Sequence, residues 1–190
     1  EVSSKNAGGY SFVKSGANGR ISRYTFNQED KPGRYIYLRD DEENDFWSAS
    51  WQPVGKPLDQ YKSECHHGTA YTTIKAGYKD ISSEVLYYVP LDKTHEVWRV
   101  RIKNNSDRPR KLSAFGYIEF TNESFYENDL VNLQYSLFIT RTYLKGNKII
   151  QAVNENDGKN EEGTNYRERF FGLVGASIDS YNGDKASFIG

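Results

Sequence analysis

Methionine is absent from this sequence of 190 residues, and cysteine occurs once. Cys65 alone cannot form an intrachain disulfide, which favours a reducing compartment, and we therefore predict a cytoplasmic location. The formal net charge of -1 at pH 7 gives no general attraction to nucleic acid or to an anionic membrane. No apolar run approaches the about 20 residues that a membrane-spanning helix needs. We therefore expect no nucleic acid and no membrane among the partners.

Several motifs of catalysis and cofactor binding are missing as well. There is no Gly-x-Ser-x-Gly nucleophile elbow, no phosphate-binding glycine-rich loop followed by Lys-Ser or Lys-Thr, and no dinucleotide fingerprint. The run Cys65-His66-His67 is short of the four ligands of structural zinc, and its two histidines would point to opposite faces of a strand. The sequence predicts neither a metal site nor a bound cofactor.

The acidic run Asp40-Asp41-Glu42-Glu43-Asn44-Asp45 is a further candidate for chemistry. Glycoside cleavage uses two carboxylates on either side of the scissile bond, one of them protonated. Neighbouring carboxylates in a polar loop cannot hold one member protonated, because water solvates them. We therefore predict a solvated hairpin tip at this run.

Aromatic residues make up 15% of the chain, with 15 tyrosines and 10 phenylalanines, which favours strands over helices. Residues 95–103 alternate apolar side chains such as Trp98 with basic ones such as Arg99, as in a half-buried strand. A turn-rich stretch follows, and residues 110–120 carry apolar groups on both faces. This pattern predicts a hairpin of residues 95–103 with residues 110–120, whose second strand is central.

Similar runs recur along the chain and are separated by turn residues. No segment has a sustained helical period, and residues 154–164 are hydrophilic, which predicts little helix and one long exposed loop. Many short strands with regular turns predict an all-β, antiparallel β-sandwich. The further predicted strands are residues 9–13, 20–26, 34–39, 69–75, 81–89, 133–144, 148–153 and 169–176.

Two groups of side chains could contact a ligand. Trp47 and Trp51 could stack on a sugar ring, although tryptophan more commonly packs in a core. In Tyr166-Arg167-Glu168-Arg169, the two arginines share one face of a predicted strand and could hold an anion or hydroxyl groups. The alternative is an edge strand that its charges keep soluble.

Several motifs resemble the N-terminal β-sandwich domain of the cellobiose and chitobiose phosphorylases, the inverting phosphorylases of glycoside hydrolase family ninety-four. The similarity extends over nearly the whole chain, and one departure is His66, where the family has arginine. The motifs are Gly8-Gly9-Tyr10-Ser11-Phe12, Trp47-Ser48-Ala49-Ser50-Trp51-Gln52-Pro53-Val54 and His66-His67-Gly68-Thr69-Ala70-Tyr71.

The resemblance implies a super-sandwich of the galactose-mutarotase-like type, joined in the intact protein to a helical linker and an (α/α)₆ barrel. The catalytic acid and the phosphate-binding groups belong to that barrel, so no catalytic residue is expected in this chain. The implied reaction cleaves a β-linked disaccharide with inorganic phosphate as co-substrate and inverts the anomeric carbon. The implied partners are this disaccharide and a second subunit in a homodimer.

Within this family, Tyr166-Arg167-Glu168-Arg169 is similar to a motif of the cellobiose-type members. The resemblance implies that Tyr166 and Arg167 reach across the dimer to the acceptor sugar, and it favours cellobiose as the substrate. Residues 32–41 and the Trp51-Gln52-Pro53-Val54 segment look closer to the chitobiose-type members. A chitobiose phosphorylase domain, a stand-alone carbohydrate-binding module and a sandwich that only supports dimerisation therefore stay open.

Both ends of the chain look interrupted. The sequence opens on Glu1 without an initiator methionine, and its apolar ending, Ser187-Phe188-Ile189-Gly190, is typical of the middle of a strand. We therefore expect one β-sandwich domain over residues 1–190, incomplete at both ends and part of a larger enzyme.

Overall fold

The computed structural model describes residues 2–3, 9–13, 19–23, 33–121, 140–154 and 166–189. Within these ranges the chain forms ten strands and one helix of five residues. In chain order they are β1 Arg34–Asp40, β2 Asp45–Ser48, β3 Lys62–His67, β4 Tyr71–Tyr78, β5 Ile81–Tyr88, β6 Val97–Asn104, β7 Leu112–Ile118, β8 Thr140–Lys145, β9 Lys148–Asn154, β10 Tyr166–Gly172 and α1 Lys185–Ile189. No helix of the described part has the length and apolar character to cross a membrane.

Three antiparallel sheets contain these strands, in the orders β2-β1-β7, β3-β4-β5-β6 and β10-β9-β8. The chain divides into two compact units, residues 1–13 with 22–119 and residues 14–21 with 120–190. The first two sheets lie in the first unit, and the third sheet lies in the second. The predicted all-β, antiparallel class is confirmed. That residues 1–190 form one domain stays a prediction.

The hairpin of β4 and β5 follows directly from the sequence pattern. The two-residue turn Lys79-Asp80 joins the strands, and both residues have positive φ, 47° and 63°. Such a turn matches the right-handed twist of the flanking strands. Ile74 and Val85 are opposite each other and fully buried, whereas the neighbouring Lys75 is exposed. Alternation therefore gives this hairpin one core face and one solvent face.

The core of the first unit lies between the sheets β2-β1-β7 and β3-β4-β5-β6. Leu38 of β1 and Trp47 of β2 belong to one buried cluster with Ile74 of β4 and Val85 of β5. The Trp47 side chain is 1% exposed, and its ring centroid lies 5.2 Å from that of Tyr78. Burying a large apolar side chain contributes about 2 kcal/mol. Because both sheets supply this cluster, the first unit is a β-sandwich.

The predicted hairpin of residues 95–103 with residues 110–120 is wrong. β6 pairs with β5, and β7 pairs with β1, so these consecutive strands lie in different sheets. At one end of the connection, the Asn105 N–H donates to the Asp80 carbonyl (2.8 Å). At the other end, the Asp41 N–H donates to the Lys111 carbonyl (3.0 Å). The turns of two other hairpins therefore hold the connection and carry it from one sheet to the other.

The acidic run at residues 40–45 does form the turn between β1 and β2, but the prediction that it is solvated is wrong for Asp40. This side chain is 0% exposed and accepts a hydrogen bond from Nε of Arg110 (2.9 Å), which is 4% exposed. By contrast, Glu42 and its partner Arg108 are each more than half exposed. The ion pair of Asp40 is buried because β7 begins beside the end of β1.

Asp45 closes the same turn and is also paired. Its carboxylate accepts hydrogen bonds from Nζ of Lys56 (2.6 Å), Nζ of Lys79 (2.8 Å) and the hydroxyl of Tyr78 (2.9 Å). Burial opposes ionisation, but these hydrogen bonds outweigh it and hold the pKa of Asp45 below its usual range. The hydrogen bond to Asp45 also raises the pKa of Lys79. The β1–β2 turn is thereby tied to the β4–β5 turn.

The sequence patterns predict neither β2 nor β3. β2 has only four residues and begins at Asp45, the last residue of the acidic run. Among the described strands, β3 lies at the edge of its sheet, and its side chains are mostly exposed. An exposed edge strand does not need apolar residues at every second position, so the alternation that identifies a half-buried strand is missing.

The remaining predictions differ at element boundaries. β10 begins at Tyr166, three residues before the predicted strand, and ends at Gly172. The apolar ending that predicts a strand is helical instead, since the Asp184 carboxylate accepts the N–H of Ala186 and starts α1. Residues 9–13 and 20–23 form isolated bridges only. The predictions for residues 24–26, 133–139 and 155–164 lie outside the described residues.

Replacing Asp40 with Asn tests the buried ion pair, because it removes the charge and keeps the shape. The hydrogen bond from Arg110, and then that from the Glu43 N–H, lowers the pKa of Asp40 to about 2. A lowered folded pKa stabilises the protein above the unfolded value of about 4, and this stabilisation is lost as the pH falls through the folded value. We expect Asp40→Asn to lower the free energy of unfolding by about 3 kcal/mol at neutral pH, and the loss to shrink between about pH 4 and pH 2. Urea unfolding followed by tryptophan fluorescence measures both.

Glu42→Gln is the matched control, because it removes one negative charge from the same run at an exposed pair. We expect it to cost less than about 0.5 kcal/mol. Equal losses in the two variants would contradict the role of burial. A loss in Asp40→Asn that stays constant down to about pH 2 would contradict the role of the Asp40 charge.

Candidate functional site

Strand β10 carries the residues that the sequence analysis connects with substrate. It lies beside β9 at the edge of the sheet β10-β9-β8 in the described part of the chain. Tyr166 is in register with Asn154, and Arg167 is in register with Val153. The two residues therefore occupy the first two positions of an antiparallel edge strand. Their assignment to the acceptor sugar stays a prediction.

Arg169, the second arginine of the motif, is buried. Its guanidinium donates to the carbonyls of Thr121 and Arg20, the latter at 3.3 Å, and lies 3.4 Å from Oε1 of Gln151. The hydroxyl of Thr121 also donates to the Arg20 carbonyl (2.9 Å). Arg169 thus satisfies main-chain carbonyls inside the second unit, and neither of the two interpretations drawn from the sequence applies to it.

Glu168 and Phe170 alternate with Arg169 and are exposed. The Glu168 carboxylate accepts a hydrogen bond from the Tyr143 hydroxyl (3.1 Å), which raises the pKa of Tyr143. Within the motif, Arg169 is therefore a structural residue, and Glu168 is bonded across β9 to Tyr143 of β8.

The Cys65-His66-His67 run lies on β3 and is divided between two faces of the sheet, as the sequence predicts. His66 pairs with Glu64, and His67 is bonded through Nδ1 to the Thr72 hydroxyl (2.9 Å). Sγ of Cys65 lies 3.4 Å from Nε2 of His67, and burial raises the pKa of the thiol. Among the described residues, no group of three His, Cys, Asp or Glu side chains is placed to hold a metal ion.

Comparison with known proteins gives the family. A family model described as "Glycosyl hydrolase 94, supersandwich domain" matches residues 2–190. The chain belongs to this family. The resemblance found from the sequence motifs is therefore confirmed.

Three relatives indicate what kind of protein contains such a domain. An N,N'-diacetylchitobiose phosphorylase of Vibrio furnissii is 40% identical over 191 residues, which are 100% of this chain and 23% of that protein. An enzyme of the same name from Vibrio proteolyticus is 38% identical, with the same coverage of 100% and 23%. A solabiose phosphorylase of Paenibacillus borealis is 30% identical over 159 residues, 83% of this chain and 19% of that protein. The chain spans less than a quarter of the length of these relatives.

The Trp-Ser-x-x-Trp-x-Pro-Val segment of this supersandwich domain has a structural role in the fold. Trp47 is a core residue, so the interpretation of it as a sugar-stacking side chain is wrong. The Trp51 indole donates to the Lys56 carbonyl (2.8 Å), and the Tyr61 hydroxyl donates to the Ser48 carbonyl (2.7 Å). The Val54 N–H donates to the Ser48 hydroxyl (3.1 Å). The motif is a folded turn, held by a hydrogen bond within it and by hydrogen bonds to the nearby Lys56 and Tyr61.

Arg169→Ala tests whether this arginine is structural. It leaves two main-chain carbonyls without their charged donor, and we expect it to lower the free energy of unfolding by about 2 kcal/mol. Arg141→Ala, at an exposed arginine of the same sheet, is the control and should cost less than about 0.5 kcal/mol. Thermal unfolding of both variants measures the difference. If Arg169→Ala unfolds at the same temperature as the parent and only weakens phosphate binding, the structural role is contradicted. The result would then support the interpretation that Arg169 binds an anion.

Proposed function

We propose that this chain is the N-terminal, non-catalytic domain of an inverting β-disaccharide phosphorylase. The observation that carries the proposal is the match of residues 2–190 to the supersandwich family, together with relatives named as phosphorylases that cover the whole chain. In this reaction a carboxylic acid protonates the glycosidic oxygen while phosphate attacks the anomeric carbon from the opposite face. The C–O bond to the leaving sugar breaks, and a sugar 1-phosphate of inverted configuration forms.

This domain contributes to carbohydrate binding and to assembly of a homodimer. The acid and the groups that bind phosphate come from the rest of the protein, and this chain supplies Tyr166 and Arg167 to the acceptor sugar across the dimer. Their place at the start of an edge strand supports this role, because the first residues of such a strand are reachable from one side of the sheet. The single cysteine supports a cytoplasmic enzyme.

For the substrate, we favour N,N'-diacetylchitobiose. Two relatives that cover the whole chain carry this activity in their names. Cellobiose is the second candidate, supported by the resemblance of residues 166–169 to the cellobiose-type motif. That support is weakened by the structure of the motif, since Arg169 is buried and Glu168 is bonded to Tyr143. Half of the motif is thereby explained without any sugar.

The first test is phosphorolysis by the intact protein. N,N'-diacetylchitobiose and cellobiose are offered separately, each with and without inorganic phosphate, and the release of sugar 1-phosphate is measured. We expect phosphate-dependent release from N,N'-diacetylchitobiose and at least about tenfold less from cellobiose. The reverse order would support the second candidate. Silence with both sugars, or hydrolysis without phosphate, would contradict a phosphorylase of either substrate.

The second test is Arg167→Ala in the intact protein. Loss of a guanidinium that donates to acceptor hydroxyls should raise KM for the acceptor in the synthetic direction about tenfold. The KM for sugar 1-phosphate should stay unchanged, because that sugar occupies a different subsite. Arg141→Ala is the control, with size exclusion to check the dimer. Unchanged acceptor kinetics in Arg167→Ala would remove this residue from the site.

A further inference from the structure

The outer face of the sheet β3-β4-β5-β6 contains a shallow depression of about 830 Å³. The depression is open to solvent along the sheet, so a ligand would lie across it. Side chains that point away from the core line it, together with the segment that follows β5. The lining residues are His66, Ala70, Tyr71, Thr73, Lys75, Glu84, Leu86, Tyr88, Val89, Pro90, Leu91 and Arg99.

Two tyrosines form the aromatic part of the depression. Tyr71 of β4 and Tyr88 of β5 are directly opposite each other in the register. Tyr71 is 50% exposed, although tyrosine rings on a sheet commonly pack against a neighbouring side chain. An exposed ring in a concave surface offers a flat apolar platform to a ligand.

Gly68 fixes the position of the Tyr71 ring. The Gly68 N–H donates to the Tyr71 carbonyl (2.8 Å), and a Cβ at residue 68 would lie 2.4 Å from Cε1 of Tyr71. The ring therefore lies against the backbone of Gly68, where no other residue type leaves room for it. A ring held in this way loses little conformational freedom when a ligand covers it.

The polar part of the depression has charges of both signs. Lys75 and Glu84 are opposite each other in the register, and Arg99 lies on the next strand. His66 lines the depression beside its partner Glu64. An anion would meet Glu84 and a cation would meet Lys75 and Arg99, whereas hydroxyl groups can accept from Lys75 and Arg99 and donate to Glu84, which also pairs with Arg101 (3.5 Å). The depression thus fits a neutral ligand with many hydroxyl groups.

We propose that this depression binds a neutral β-linked glycan. The rings of such a glycan have equatorial substituents, so that C–H groups on one face stack on Tyr71 while the hydroxyls at the edge reach the charged side chains. The choice of a β-linked glycan rests on the proposed function, whereas the hydroxyl-rich, neutral character rests on the depression itself.

Affinity electrophoresis of the intact protein tests the site, in native gels that contain glycol chitin or hydroxyethylcellulose and no phosphate. We expect at least one polymer to retard the protein. Retardation by glycol chitin would indicate binding of N-acetylated sugar units, and retardation by hydroxyethylcellulose would indicate binding of glucose units. Tyr71→Ala should weaken the retardation about fivefold or more, because it removes the stacking platform. Gly68→Ala should weaken it similarly, because its Cβ displaces the ring without removing it.

Tyr181→Ala is the matched control, because it removes a tyrosine that is 43% exposed and lies outside the depression. It should migrate like the parent, and circular dichroism should give all three variants the parent spectrum. The proposal is overturned if neither polymer retards the parent, as expected when another segment of the protein covers this face. It is also overturned if Tyr71→Ala and Gly68→Ala are retarded as strongly as the parent. The assay measures binding and not catalysis, so its result does not depend on whether the protein cleaves a disaccharide.

Discussion

The buried ion pair of Asp40 with Arg110 is the contact on which the arrangement of the first unit depends. One carboxylate oxygen accepts from Arg110, and the other accepts the N–H groups of Glu42 and Glu43 at 2.9 and 3.0 Å. Arg110 also donates to the Lys79 carbonyl (3.2 Å). A buried charge is tolerated only when its hydrogen-bonding groups are used in this way. One pair therefore fixes the β1–β2 turn, the β4–β5 turn and the approach to β7, which is why the chain changes sheets after β6.

The other end of β1 has the opposite charge. The side chains on the inward face of β1 are those of Arg34, Ile36, Leu38 and Asp40. Two apolar side chains therefore separate two buried charges. Arg34 donates to the Ser11 hydroxyl (2.8 Å), lies 3.3 Å from the Glu96 carboxylate and stands 5.8 Å above the Tyr87 ring. Burial in turn raises the pKa of Tyr87 to about 12. A register shift of two residues in either direction would separate both charges from their partners and would move one of them into the apolar middle, so the charges define the register as firmly as the apolar residues do.

The motifs that identify the family are largely requirements of the fold. Trp47 lies in the core, and the residues after it form a hydrogen-bonded turn. At position 68 only glycine fits, because the Tyr71 ring lies against its backbone. Such motifs therefore identify the supersandwich fold, but they carry little information about which sugar the protein binds. The same division explains why the Tyr-Arg-Glu-Arg motif is ambiguous, since Arg169 serves the main chain while Tyr166 and Arg167 begin an edge strand. Surface residues such as Tyr71, which the fold leaves exposed, are better evidence for ligands.

The sequence by itself determined that β4, β5 and β6 are strands, and in β6 it also determined which face turns inward. A period of two is a local property of the chain, and neighbouring residues are enough to read it. Only the tertiary structure decided that β7 pairs with β1, that Asp40 is buried and that Arg169 is a structural residue. Each of these depends on a partner far along the chain, Arg110 at 70 residues from Asp40 and Thr121 at 48 residues from Arg169. A charged residue looks the same in sequence whether it faces water or a buried partner, because the contact that distinguishes the two forms only when distant segments pack together.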